Sequence, residues 1–199
     1  MTELLYQGHG SYRLTSEHGA VVYIDPFAGE GYDKPADLVL VSHEHSDHNQ
    51  VSRVHLKPDG KVLRAANLID GASYGGCLVK DVLVKATAAY NKNHPKSECV
   101  GFLLSTGGKK LYFACDTSET EEMKKLRAEQ ITAPGREDIV VIEAGRAAVF
   151  HQLAHAGQRR SVHNLGIEVF PDLIERLEPG EQFKILYLRQ IARELLIKM

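Results

Sequence analysis

Residues 38–48 read LVLVSHEHSDH, and this stretch carries the strongest indication of both fold and chemistry in the 199-residue chain. The run LVLV is uninterrupted and apolar, which is typical of a strand that is buried on both faces. The four side chains that follow and can bind a metal ion are His43, His45, Asp47 and His48. A polar cluster directly after a buried strand is expected at the strand's C-terminal end, where active sites of α/β proteins commonly lie.

The spacing of this cluster predicts two metal ions. In an extended turn, His43 and His45 project to the same side of the chain. Asp47 and His48 then reach a second position about 3.5–4 Å from the first, the separation expected of a two-metal hydrolytic site. Neutral imidazole and carboxylate ligands favour zinc, and manganese or iron accept the same ligands. The competing interpretation is a solvated loop in which Ser46 or Asp47 caps a helix, although a cap needs only one polar residue.

The composition predicts a single domain over residues 1–199. The apolar fraction is 43%, and the balance of 24 Lys and Arg against 26 Asp and Glu gives a net charge of -2, so no global basic field attracts nucleic acid. No run approaches the roughly 20 apolar residues of a membrane span. The odd number of widely spaced cysteines argues against disulfides. We therefore expect a cytoplasmic protein with a small-molecule substrate and no nucleic-acid or membrane partner; the oligomeric state is left open.

Short runs with strand character fill most of the chain up to residue 144. They are LLYQG, SYRLT, VVYID, LVLVS, KVLRA, VLVKATAAY, VGFLLS, KKLYFACD and DIVVIEA. Ser118, followed three residues later by Glu121, matches a capping box and predicts a helix over TEEMKKLRAEQ. Strands interspersed with helices predict layered α/β packing, in which two sheets are covered by helices.

The segment HEHSDH matches the His-x-His-x-Asp-His signature of the metallo-β-lactamase superfamily. The chain resembles the small metal-dependent hydrolase branch of that family, which includes relatives of sugar-phosphate lactonases, over about residues 1–130. The resemblance implies a four-layer αββα sandwich, with two mixed sheets covered by helices. The last third of the chain, about residues 131–199, diverges from the family pattern, most clearly over 133–160.

The resemblance also implies roles for residues outside the cluster. Asp25, in YIDPF, stands where the family places an aspartate that supports the metal-binding loop. His94 stands at the third histidine of the first metal, and Asp116, in YFACDT, at the carboxylate that bridges both metals. His163, in RRSVHNLG, is the best candidate to complete the second metal, with His155 or no residue as alternatives. The implied metal ligands are His43, His45, Asp47, His48, His94, Asp116 and His163.

The implied function is hydrolysis by metal-activated water of a small polar ester, a lactone or a phosphodiester. Asp47 and Asp116 are the predicted catalytic residues, because Asp116 bridges the metals and Asp47 can orient or deprotonate the nucleophile. One alternative is a degenerate, non-catalytic metal-binding protein that has lost the last histidine. Another is a nuclease of the same fold, whose affinity for nucleic acid would fall steeply with salt.

Three further residues near these motifs have two interpretations each. His9, in a Gly-His-Gly turn, either approaches the site or is an inert turn residue. Cys115 occupies a position where the family commonly has glycine, and it is either a small buried filler or a thiol close to the metals. Glu44 lies between two ligands and is expected to point away from them.

Overall fold

The computed structural model describes residues 2–132, 139–142 and 183–185. The strands of these residues are β1 (Thr2–Gly8), β2 (Ser11–Thr15), β3 (Val21–Ile24), β4 (Ala36–Val41), β5 (Leu56–Arg64), β6 (Ile69–Asp70), β7 (Ser73–Tyr74), β8 (Gly76–Val79), β9 (Val82–Ala88), β10 (Val100–Thr106), β11 (Lys109–Phe113), β12 (Ile139–Ile142) and β13 (Phe183–Ile185). The helices are α1 (Ala65–Leu68), α2 (Glu121–Thr132) and a 3-10 turn at Val51–Arg53. Each predicted strand run coincides with one of these strands.

The strands form two mixed sheets and a small β6–β7 ribbon. The first sheet has the order β13-β1-β2-β3-β4-β5, with antiparallel pairing from β1 to β3 and parallel pairing from β3 to β5. The second has the order β12-β11-β10-β9-β8 and is antiparallel except for the β11–β12 pair. The predicted pair of mixed sheets is therefore confirmed.

The main hydrophobic core lies between the two sheets. The ring of Tyr12 on the first sheet meets the edge of Phe113 on the second, with ring centroids 5.2 Å apart. Each large apolar side chain that is fully buried here stabilises the fold by about 1.5–3 kcal/mol. The fully buried members of this core include Leu14, Val22, Leu38, Leu40, Val82, Ala86, Val100, Phe102 and Leu104.

Strand β4 is buried on both faces, as its apolar run predicts. Leu38 and Leu40 pack into the core between the sheets. Val39 and Val41 point to the opposite face and pack with Val54 in a second cluster. Because β4 is held from both sides and paired with a strand on each edge, the histidine segment that follows it starts from a fixed position.

Helix α2 lies over the outer face of the second sheet, where Leu126 packs against Tyr112 and Ala114. The two sheets and α2 thus make three layers. Strands predominate within residues 2–132, 139–142 and 183–185, and the four-layer arrangement with helices over both sheets stays a prediction. No helix in the described part of the chain has the length and apolar character that crossing a membrane requires.

The predicted helix is present, but its predicted cap is wrong. The helix begins at Glu121, and the hydroxyl of Thr120 accepts the backbone N–H of Met123 at 3.3 Å. Ser118 lies two residues before the position that caps this helix, and its backbone N–H donates to the carbonyl of Tyr90 at 2.9 Å. Thr120 is therefore the N-cap residue.

Candidate metal centre

The predicted site residues come from five chain segments that meet at one edge of the two sheets. The segment 43–48 follows β4, and Asp25 follows the parallel neighbour β3. His94 lies in the loop between β9 and β10, and Asp116 follows β11. The turn between β1 and β2 adds His9. Strand ends thus position each side chain, and the loops between them carry the chemistry.

The helix-cap interpretation of the histidine segment is contradicted. The 3-10 turn begins only at Val51, with Gln50 at its N-cap position and no side-chain cap bond. Ser46 and Asp47 therefore do not start a helix. The loop leaves the side chains of His45 and Asp47 partly accessible, while His43 and His48 are buried.

His43, His45 and His94 form the first group of candidate ligands. One donor atom from each lies within 4.8 Å of the other two. His94 Nε2 is 3.2 Å from His45 Nδ1, and the ring of His43 is 4.6 Å from each of the other two rings. Three imidazole nitrogens that converge on one point are the ligand set of many zinc sites. The structure brings together the three residues that the sequence assigned to one metal.

Asp47 and His48 belong to a second group, and its third member is His9. The Asp47 carboxylate is 3.1 Å from His9 Nε2 and 3.9 Å from His48 Nε2. The three donor atoms all lie within 4.8 Å of one another. Of the two interpretations of His9, approach to the site is therefore confirmed. The predicted ligand His163 and its alternative His155 lie outside the described residues.

Asp116 lies between the two groups. One carboxylate oxygen is 3.7 Å from His48 Nε2, and the other is 3.7 Å from His94 Nε2. His43, His48 and Asp116 also form a cluster of donor atoms within 4.8 Å. The carboxylate thus presents one oxygen to each group, which is the arrangement that a bridging ligand needs.

A buried hydrogen-bond chain orients His43 and His48. His48 Nδ1–H donates to Asp25 Oδ2 at 2.9 Å, and the Ser42 hydroxyl donates to the same oxygen at 2.6 Å. His43 Nδ1 lies 2.9 Å from that hydroxyl oxygen and donates to it, because the hydroxyl proton is already used. Asp25 therefore holds both rings, one directly and one through Ser42, with Nε2 of each turned towards the centre.

His94 is oriented in the same way by a different residue. Its Nδ1 lies 2.8 Å from Asn91 Oδ1, which also accepts the backbone N–H groups of Asn93 at 2.8 Å and His94 at 3.1 Å. Metal-binding histidines usually donate their second ring N–H to an oxygen, which fixes the tautomer and the ring orientation. Three of the candidate ligands therefore carry the hydrogen bond that this role requires.

The site residues predicted from the sequence do not include Ser42 and Asn91. Each residue does lie close to a predicted ligand in the sequence: Ser42 directly precedes His43, and Asn91 lies three residues before His94. An asparagine at this spacing commonly bonds the backbone two residues ahead, as Asn91 does. The signal is common in turns, so the sequence alone does not connect it to a metal ligand.

The ring nitrogens that face the centre indicate whether a metal ion fits there. His43 Nε2 and His48 Nε2 are buried and have no hydrogen-bond partner among the described residues. A buried polar atom without a partner costs about 1–3 kcal/mol, so such atoms are rare in native proteins. Both atoms face Asp116 and the other donors. The donor set of imidazole and carboxylate suits a divalent transition metal, and the residues present fit that ion.

The local electrostatics favour the neutral, metal-binding form of two histidines. Burial, together with the nearby His48, lowers the pKa of His43 to about 4. Burial likewise lowers the pKa of His94. For His48, burial is the strongest single influence and opposes the charged form, but the hydrogen bond to Asp25 and the negative charges of Asp25, Asp116 and Asp47 together raise the pKa. His43 and His94 are thus neutral at physiological pH, while His48 is held by a carboxylate.

Cys115 packs in the main hydrophobic core, as the interpretation of a small buried filler expects. It is 5% exposed, and burial raises the pKa of its thiol well above the usual value. Its φ of +58° lies in the left-handed region that favours glycine, which agrees with the glycine expected at this position. All three cysteines are free, as predicted from their number and spacing.

Comparison with known proteins places this centre in a family. A model of the beta-lactamase superfamily domain matches residues 3–178. The chain belongs to this superfamily. The match includes the histidine segment, the loop of His94 and the segment of Asp116, so the donor groups of this superfamily member lie within the matched region.

Individual relatives carry related names. A metal-dependent hydrolase of Myxococcus xanthus is 31% identical over an alignment of 155 positions, and the match covers 63% of this chain and 56% of that protein. One from Methanosphaera stadtmanae is 28% identical over an alignment of 153 positions, with coverage of 61% of this chain and 64% of that protein. The chain thus spans less than two thirds of each. A crystal structure from Parabacteroides distasonis, titled as a metal-dependent hydrolase, has 26% identity, a TM-score of 0.48, and coverage of 61% of this chain and 64% of that one.

Proposed function

We propose that this superfamily member is a hydrolase that depends on two divalent metal ions. One observation carries the proposal: two buried imidazole nitrogens, His43 Nε2 and His48 Nε2, lack a partner among the described residues and lie beside Asp116. The names of the relatives support a metal-dependent hydrolytic activity. Buried atoms without a partner also occur elsewhere in the described residues, for example Gln7 Oε1 and Thr87 Oγ1, but these two nitrogens converge with a carboxylate, which is the arrangement that a metal ion fills.

The proposed ligands divide into two sets that share one carboxylate. His43, His45 and His94 hold the first ion. Asp47 and His48 hold the second, with His163 as the predicted further ligand, and Asp116 bridges both. Zinc is the proposed ion, and manganese or iron accept the same donors. Two ions bound here supply Lewis acidity and a water molecule whose pKa is lowered towards neutrality.

The chain's own residues then orient the reaction. The side chain of Asp47 is 42% exposed and lies at the open side of the centre, where it can accept a proton from the attacking water. Asp25 and Asn91 keep the imidazole rings in one tautomer and one orientation. Because these groups are fixed by strand ends, little reorganisation is needed during the reaction.

The proposed substrate is a small polar ester, a lactone or a small phosphodiester. The net charge of -2 gives no general attraction for nucleic acid, which supports a small-molecule substrate over a nuclease activity. A cytoplasmic location, a single domain over residues 1–199 and the complete four-layer sandwich belong to the same proposal.

Metal content per chain, measured by elemental analysis of gently purified protein, tests the proposal together with hydrolysis of a panel of lactones, esters and phosphodiesters. We expect two ions in the wild type and loss of hydrolysis in His43→Ala. The matched control is His18→Ala, because His18 is also a histidine paired with an aspartate, but it is exposed and distant from the centre. His163→Ala tests the predicted last ligand by the fall in metal content.

Two other results would each favour a different function. One ion or none in the wild type, without hydrolysis of the panel, favours the degenerate metal-binding protein. Cleavage of nucleic acid, with affinity that falls steeply as salt rises, favours the nuclease. Two ions with hydrolysis of a small ester, lactone or phosphodiester supports the proposal.

A further inference from the structure

The turn between β1 and β2 brings a histidine to the second group of ligands from a distant part of the sequence. His9 Nε2 lies 3.1 Å from Asp47 Oδ2, although the two residues are 38 positions apart. The ring of His9 is 5.2 Å from the ring of His48. His48 Nε2, in the same group, is buried without a hydrogen-bond partner among the described residues. This is a second, independent indication that a metal ion binds there.

The distances match a coordination sphere. With metal–nitrogen and metal–oxygen bonds near 2.0–2.2 Å, tetrahedral ligand atoms lie about 3.4 Å apart. In this group Asp47 Oδ2 is 3.1 Å from His9 Nε2 and 3.9 Å from His48 Nε2, and an oxygen of Asp116 is 3.7 Å from the latter. Two imidazoles and the Asp47 carboxylate therefore converge on one point, and Asp116 approaches one of them, His48.

The backbone of the turn is specialised for this placement. His9 has a φ of +52°, which non-glycine residues adopt uncommonly and mostly where surrounding structure imposes it. Its ring is also set against the edge of Phe27, with centroids 5.5 Å apart. Glycine would fit this backbone without strain, so the position of the histidine ring rests on its contacts with Phe27 and Asp47.

We propose that His9 is a ligand of the second metal ion, together with Asp47, His48 and the bridging Asp116. The inference rests on the proposed two-metal function and adds a residue to it. The residues that hold the second ion then include His9, Asp47, His48 and Asp116, all in the described part of the chain. The contribution of His9 to the affinity for that ion does not depend on His163.

His9→Gly tests this role without straining the turn, since glycine adopts a positive φ freely. We expect the metal content to fall from two ions to about one per chain at limiting zinc. We also expect the affinity for the second ion to fall by more than the roughly 10–100-fold that loss of an outer hydrogen-bond partner costs. His18→Gly is the matched control and should keep two ions with wild-type affinity.

Cobalt-loaded His9→Cys separates a ligand from a residue that only positions Asp47. A thiolate at a ligand position gives a sulfur-to-cobalt absorption band, whereas a thiol outside the coordination sphere gives none. The band should appear in His9→Cys and be absent from His18→Cys. Two ions with unchanged affinity in His9→Gly would overturn the inference. If the wild-type protein binds fewer than two ions per chain, the proposed two-metal function is wrong, and the role of His9 is then wrong as well.

Discussion

His48 Nδ1 lies 2.9 Å from Asp25 Oδ2, and neither side chain is exposed to solvent. Asp25 also accepts bonds from the backbone N–H and the hydroxyl of Ser42, at 2.7 and 2.6 Å. Its own backbone has a φ of +44°, in the left-handed region, and its carbonyl accepts the hydroxyl of Ser11 at 2.7 Å. One buried carboxylate thus joins the ends of β3 and β4 to the ligands of both proposed metal positions.

Replacing Asp25 should therefore affect both stability and metal binding. Asp25→Ala leaves His48 Nδ1 and two donors of Ser42 buried without their acceptor, and we expect it to cost about 3 kcal/mol or more in free energy of unfolding. Urea denaturation of the metal-free protein measures this cost. Asp59→Ala, at an exposed position of β5, should leave the stability close to that of the wild type. Equal stability of the two variants would contradict the role of Asp25.

Asn91 should control the affinity of the first metal ion. Its side chain accepts the Nδ1–H of His94 at 2.8 Å, so Asn91→Ala removes the group that fixes this ligand's tautomer. We expect zinc affinity at the first position to fall by about 10–100-fold, measured by competition with a chelator. Asn93→Ala, in the same loop but with an exposed side chain, is the control. An equal affinity in both variants would show that the ring of His94 needs no such support.

Glu44 should be dispensable although it lies between two ligands. It is 59% exposed on its side chain, and its carboxylate accepts Arg64 Nη1 at 2.9 and 2.7 Å, away from the centre. The prediction that it points away is thus confirmed. Glu44→Gln should keep the full metal content and change stability by less than about 1 kcal/mol, as expected of a surface ion pair. Asp47→Asn, three residues later, should lower the metal content and abolish hydrolysis.

His43 should remain neutral in the metal-free protein far below the pH at which histidine usually titrates. Its pKa is lowered to about 4, because burial disfavours the charged ring. The unfolded chain protonates the same ring near its ordinary pKa of about 6.5, so this residue's contribution to stability is lost as the pH falls from about 6.5 to 4. NMR titration of the metal-free protein measures the value directly. A midpoint near 6.5 would contradict the buried, neutral state.

Much of the fold was predictable because it depends on local patterns. The apolar run of β4 and the alternating runs of the other strands are properties of a few consecutive residues, and each became a strand. The cap of α2 was not predictable, because Ser118 and Thr120 are both suitable cap residues. In the structure Thr120 is the cap residue, while the backbone of Ser118 is bonded to Tyr90, 28 positions earlier in the chain, a contact that no local pattern predicts.

The sequence by itself determined the chemistry of the centre, since HEHSDH places four metal-binding side chains within six residues whatever lies around them. Only the tertiary structure decided which distant residues complete it. Asp25 reaches His48 across 23 positions, and His9 reaches Asp47 across 38, because the ends of β3 and β4 and the turn after β1 meet at one edge. Contacts of this kind depend on how the strands are ordered in the sheet, and no local pattern of residues specifies that order.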